Sequence, residues 1–310
     1  MSQGRSSSKS LFQRLTSNQT LEYWFALPAI LVLLALIIFP MLWSVYISFT
    51  DLNLSTATSD FAIIGFNNYV SILSSGRFWN SLMNTAYLMG IAVPMQFLLG
   101  FATALTMFHY TRGWVTTILF TIFLLPMMMA SVITGYIWRL MLQETFGPIN
   151  YLLGAVGLPE PGWLSAPEVA LNSIVFAGIW QWTPFMVLLL YTGRISINED
   201  LYEAARIDGA SRWFAFRHVT LPQMKGVIAI AVLLRAMDVF KAFDKMFVMT
   251  RGGPGTASEL ATYYNYLLGF SDFAVGKATA MSWILLIIAV IFASLFLHFL
   301  EQGEGGERVR

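Results

Sequence analysis

Arg235, Asp238, Lys241, Asp244 and Lys245 stand close together in an otherwise apolar stretch. The first four recur at intervals of three, which on a helix places them along one slowly drifting stripe. Ionisable groups inside a membrane-length apolar run are costly and by default mark function. Three roles fit. The charges pair internally and stabilise a bundle, they bond a second membrane subunit, or they line a hydrated cavity that binds a solute. None of these requires bond-making chemistry, and little else in the chain offers it. His109, His218 and His298 lack metal-ligand spacing. His109 and His218 read as solvated loop residues, and His298 as the end of an apolar run. There is no cysteine, which excludes disulfides, thiolate catalysis and cysteine metal sites. No G-x-S-x-G or H-E-x-x-H motif occurs. Gly276-Lys277 is followed by Ala278, so the phosphate-cradling G-x-x-x-x-G-K-[ST] pattern is not met. The expectation is a chain with no catalytic residues, no metal site and no cofactor of its own.

The elements that position those charges are membrane spans. Of 310 residues, 57% are hydrophobic and 11% charged, against about a quarter charged in a soluble domain. The net charge of +1 provides no field to attract nucleic acid. A span needs roughly 20 apolar residues. Segments 23–49, 82–107, 115–141, 169–191, 226–250 and 274–300 qualify. The expected fold is an all-α integral membrane protein with about six transmembrane helices. Pro28, Pro40, Pro94, Pro126 and Pro184 lie in or near these runs and are tolerated where neighbouring helices satisfy the freed backbone groups. The first run is too long for a signal-peptide core and reads as a retained span. No period of 20–50 residues repeats, so a solenoid is excluded.

Basic residues set the orientation. Arg5, Lys9, Arg14, Arg112, Arg194, Arg206, Arg212, Arg217, Lys225, Arg308 and Arg310 fall on one side, and Arg77, Arg251 and Lys277 on the other. The first side is therefore expected to be cytoplasmic and to hold both termini. The division is a cytoplasmic segment 1–21, a membrane domain 22–300 and a cytoplasmic tail 301–310, with external segments near 50–81, 142–168 and 251–273.

The loop 195–222 between the fourth and fifth spans carries the densest local signal. Ser196 and Glu199 have capping-box spacing. Glu199, Asp200 and Glu203 load the first turns, as suits a helix dipole. Gly209 stands where a C-terminal cap would take a positive φ. A short helix over about 199–208 is predicted, slim at Ala204 and Ala205. Residue by residue it fits either an interfacial linker or a docking helix for another protein.

Glu203-Ala204-Ala205, Asp208-Gly209-Ala210 and Leu221-Pro222 resemble the EAA loop of ABC-importer permeases. The resemblance extends to Gly65-Phe66-Asn67-Asn68-Tyr69, Phe78-Trp79-Asn80, Asn84-Thr85, Gly147 with Asn150, Trp163-Leu164, Trp180, Pro184, Phe243-Asp244 and Gly252-Gly253-Pro254, and so covers roughly 22–300. It is closest to compact maltose-permease-like carbohydrate permeases, first of the usual pair. Two features depart: Ile197-Asn198 stands where Ile-Pro is common, and the large extra external domain of the classical maltose permease is missing, so maltose is not assumed.

The resemblance implies the type I ABC importer fold. Glu203, Ala204, Ala205, Asp208 and Gly209 would form a coupling helix for a dimer of ATP-binding subunits, which would hold ATP and Mg. A second permease subunit would complete the pore, and an extracytoplasmic solute-binding protein would deliver a sugar, polyol or sugar derivative across the bacterial cytoplasmic (inner) membrane. In that family the fourth and fifth spans contact sugar. Counting back from Glu203 indicates Gly178, Trp182 and Phe185, and counting back from Gly252 indicates Asp238, Val239 and Ala242. Gln181 and Trp182 suit a polyhydroxylated solute, although Trp180 and Trp182 equally fit ordinary packing. Lys241, with Arg235, also suits an anionic group on the sugar. A stand-alone secondary transporter is the rival reading, and would show internal repeats and ion-coupling carboxylates at broken helices. A membrane enzyme would need a catalytic constellation.

Overall fold

The computed structural model describes residues 18–55 and 61–305. Arg5, Lys9, Arg14, Arg308 and Arg310 lie outside them. In chain order the helices are α1 (Asn18–Leu33), α2 (Phe39–Ser48), α3 (Asn67–Leu73), α4 (Gly76–Tyr110), α5 (Trp114–Met128), α6 (Ser131–Met141), α7 (Pro148–Ala155), α8 (Pro167–Ile195), α9 (Asp200–Ile207), α10 (Arg212–Ala215), α11 (Leu221–Phe240), α12 (Asp244–Met249), α13 (Ala261–Tyr266) and α14 (Val275–Gly305). Short π segments join α1 to α2, α10 to α11 and α13 to α14. Among the described residues the only β-pairing outside helices is an isolated bridge between Thr50 and Ile63.

Five continuous helical stretches are long and apolar enough to cross a membrane: Ala26–Ser48, Gly76–Tyr110, Pro167–Ile195, Arg212–Phe240 and Val275–Leu300. A sixth is broken: Trp114–Met128 and Ser131–Met141 meet at 92°. This corrects the reading of 115–141 as one span. Pro126 lacks the N–H of a regular turn, and Met129 and Ala130 are extended, with ψ of 140° at each.

A second correction concerns 226–250. The helix ends at Phe240, and α12 starts afresh at Asp244. Arg235 and Asp238 share a helix and Lys241 caps it, whereas Asp244 opens the next one. The stripe of four charges therefore breaks after its third member.

The 35-residue α4 is roughly 50 Å long at ~1.5 Å per residue, well beyond the ~30 Å hydrocarbon core. It packs along α8, and the two form the centre of the bundle with α11 across them. The contact is close because Gly100 has no side chain: a Cβ there would lie 2.5 Å from Cβ of Met186. Small residues allow such backbone approach in membranes, where packing rather than water drives association. Met186, Val187, Leu190 and Met224 are fully buried around this contact. The first and last spans contribute little to the core, with 6% and 11% of their apolar windows buried.

At the end of the bundle remote from α9, short helices and loops are tied by polar contacts. The amide of Asn68 donates to the carbonyls of Ser48 (2.9 Å) and Thr50 (2.8 Å). Arg77 makes a two-pronged pair with buried Glu259 (Nε 2.8 Å, Nη2 2.7 Å). Asn84 donates to the carbonyl of Glu259 at 3.0 Å. The Arg77 and Asn84 bonds hold the segment that follows Gly252-Gly253-Pro254, whose Gly253–Pro254 peptide is cis, against the start of α4.

Candidate functional site

Two sites emerge, one inside the bundle and one at its α9 end. The first is a cavity of about 270 Å³ between α4, α8, α11, α12 and the broken span. Its wall includes Gly178, Trp182, Asp238, Val239, Lys241 and Ala242, six of the eight positions expected to meet solute. The other two are elsewhere. Gln181 is fully buried behind the wall, because successive helical residues point about 100° apart. Phe185 meets Trp182 edge-on, with ring centroids 6.3 Å apart, and is not part of the wall.

The charges form a network. Arg235 donates from Nη1 to Asp238 Oδ2 at 2.6 Å and from Nε to Gln96 Oε1 at 3.0 Å. Gln96 in turn donates to the carbonyl of Gly178 at 3.0 Å. The guanidinium lies 4.5 Å from the centre of the Trp182 ring, an attractive cation–π geometry. Lys241 is 3.6 Å from the other oxygen of Asp238. Both cations considered for an anionic solute thus share one carboxylate within the chain. Lys245 donates to Gln181 Oε1 at 2.8 Å, and Gln181 Nε2 donates to the carbonyl of Met129 at 2.8 Å. That carbonyl lies at the break between α5 and α6, where the helical ladder stops. Internal pairing and cavity lining, posed as alternatives above, are both satisfied by the same residues.

Lys245, one of the five charges singled out in the sequence, also lines the cavity, as do Gln96 and Ser131, which were not assigned to it. Gln96 carries the one legible signal, an amide inside the apolar run 82–107. Ser131 enters only because the span breaks beside it.

The second site is α9. Its C-terminus is closed by a complete Schellman arrangement: Gly209 N–H donates to Arg206 O at 3.1 Å and Ala210 N–H to Ala205 O at 2.9 Å. Gly209 has φ +77°, the conformation glycine adopts without strain. The N-terminus differs from expectation. Ser196 Oγ donates to Gly193 O at 2.8 Å instead of capping, and Asn198 Oδ1 accepts from Asp200 N–H at 3.1 Å. Asn198 therefore takes the place of the predicted capping box. Ala204, Ala205, Asp208 and Gly209 line a surface concavity completed by Ser211 and Phe214. Glu203 is exposed, with Arg206 4.0 Å away. Ile207 beside it is 85% exposed.

A helical bundle with a broken span, a charged cavity at mid-chain and a separately capped helix projecting from one end defines a membrane transport permease. The chain belongs to the family of binding-protein-dependent transport system inner membrane components, matched over residues 69–302. It is 35% identical over 273 residues to the trehalose/maltose transport system permease protein MalF of Thermococcus litoralis, covering 87% of this chain and 90% of that protein. It is 34% identical to the probable ABC transporter permease protein y4oQ of Sinorhizobium fredii, covering 92% and 91%. The trehalose transport system permease protein SugA of Mycobacterium tuberculosis is 33% identical, with 94% of each chain covered. In fold the chain is similar to a crystal structure of a bacterial ABC transporter involved in the import of the acidic polysaccharide alginate, with TM-score 0.80, 24% identity, and coverage of 95% of this chain and 99% of that one. The fold and the family support the importer-permease reading and not that of a stand-alone secondary transporter.

Proposed function

We propose that this chain is one permease of a pair in an ATP-driven importer of a sugar, polyol or sugar derivative. Residues 22–300 form half of the pore, and 1–21 and 301–310 face the cytoplasm of a bacterial cell. The trehalose and maltose named for its relatives support the solute class. The aromatic face of Trp182 and the polar groups of Asp238 and Lys241 give the cavity surfaces for the apolar faces and hydroxyls of a sugar. At about 270 Å³ the cavity falls just below the roughly 300–1,000 Å³ of ligand pockets, as suits half a site completed by a second permease.

The observation that carries the coupling role is α9: an eight-residue helix, closed at its end by Gly209 and slim at Ala204 and Ala205. It docks on a dimer of ATP-binding subunits, which hold ATP and Mg and perform the hydrolysis. Closure of those subunits displaces α9, and rigid-body rocking of the spans exchanges access from one side to the other. An external binding protein presents the solute at the end bearing the Gly252-Gly253-Pro254 loop.

Gly209→Val tests the assignment. A β-branched residue in the left-handed region costs about 1–2 kcal/mol and bends the chain away from its Schellman closure. Membrane insertion is expected to survive while ATP-dependent sugar uptake is lost. Wild-type uptake and ATP consumption in that variant would remove the coupling assignment.

A further inference from the structure

Arg194 ends α8 with its guanidinium out of water. The residue is 4% exposed, and its Nη1 is buried without a hydrogen-bond partner among the described residues. The nearest carboxylate oxygen, Glu199 Oε2, is 4.0 Å away. What covers it is aromatic on both sides: Phe108 of α4 at 3.9 Å and Tyr202 of α9 at 4.2 Å from the ring centres. A flat, weakly hydrated guanidinium stacks face-on between two rings, a fit that an ammonium, having no flat face, does not match.

Of the eight residues of α9 only Tyr202 and Ala205 are partly buried; the rest are exposed. Tyr202 is therefore the helix's one large anchor. Its ring lies on Arg194, and its hydroxyl is 2.8 Å from Thr220 Oγ1, just before α11. The stack continues inward. Phe108 meets Tyr191 at 6.4 Å, and Tyr191 meets Phe120 edge-on at 4.8 Å. Phe120 belongs to α5, whose far end is the break at Met129. A continuous column of packed rings thus joins α9 to the broken span.

We propose that Arg194 is the positioning residue that locks α9 onto the ends of α4 and α8, so that displacement of α9 reaches the broken span instead of being absorbed by the loops flanking α9. The proposal rests on the reading of α9 as the coupling helix. Coupling through such a column is measured by a mutational cycle read out by distance.

The chain has no native cysteine. Spin labels can therefore be placed at Asp200→Cys on α9 and Met128→Cys at the break, in the full assembled importer, with and without trapped ATP. The unmodified clamp is expected to give one narrow distance distribution that ATP leaves unchanged, because α9 and α5 move together. Arg194→Leu keeps bulk but removes the charge, Arg194→Lys keeps charge but removes the flat faces, and Phe108→Leu removes one ring. Each is expected to broaden the distribution and make its centre shift with ATP, and Arg194→Leu with Phe108→Leu should go no further than either alone. Should Arg194→Leu fail to insert, Phe108→Leu carries the same comparison. Distributions identical to the unmodified clamp in these variants would overturn the proposal. If no ATP-binding subunits assemble with the chain even when Arg194 is intact, the coupling reading itself fails, and the proposal with it.

Discussion

Gln181 does two things at once: its amide nitrogen satisfies the Met129 carbonyl at the break, and its oxygen holds the Lys245 ammonium. It is itself fully buried. Gln181→Leu keeps the volume and leaves a carbonyl and an ammonium without this partner. The expected loss of stability is about 1–3 kcal/mol, the desolvation cost of a stranded buried polar group, visible as a lower melting temperature in detergent. Unchanged melting would mean that the break is held by something else. At this scale legibility in the sequence was uneven. Gly209 was readable because a glycine after a short acidic-headed helix has one common use. Gln181 was readable as important but not for its direction, since counting along a chain does not say which side of the helix faces a cavity. Ser196 and Glu199 had capping-box spacing, yet Asn198, nearer to the helix start, captured the free N–H first.

At the level of elements, hydropathy found all six apolar stretches but not the 92° bend in the third. Hydropathy measures solvent preference and is blind to backbone direction, so 115–141 reads as one run. Pro126 marked the place, but Pro94 and Pro184 sit inside continuous helices, and nothing in the local sequence separates the two outcomes. What separates them is tertiary: Gln181 stands opposite the opened carbonyl of Met129. The early end of α11 was hidden for a similar reason, because charges at intervals of three look helical whether or not the helix continues. The α4–α8 contact offers a prediction about elements. Gly100→Val would place a Cβ 2.5 Å from that of Met186, a backbone-level clash that no side-chain rotation relieves. Overpacking of this kind typically costs about 1–3 kcal/mol, and the expected result is a lower melting temperature together with reduced transport. A variant that melts like the parent would show that α4 and α8 can separate freely.

Across the whole molecule burial is uneven. The centre is tightly packed, while the first and last spans leave most of their leucine, isoleucine and phenylalanine side chains uncovered. Exposed apolar area on this scale marks a membrane or partner surface, as expected of a subunit that completes its pore with another chain in the bilayer. Under the proposed function the motor, half of the pore and the delivery of solute belong to other proteins, and this chain supplies the cavity and the coupling helix. The most direct test is purification of the tagged chain from its own membranes in mild detergent. A second permease and ATP-binding subunits are expected to come with it, and the preparation is expected to hydrolyse ATP. A chain that purifies alone and moves sugar across vesicles without ATP would contradict the proposed function.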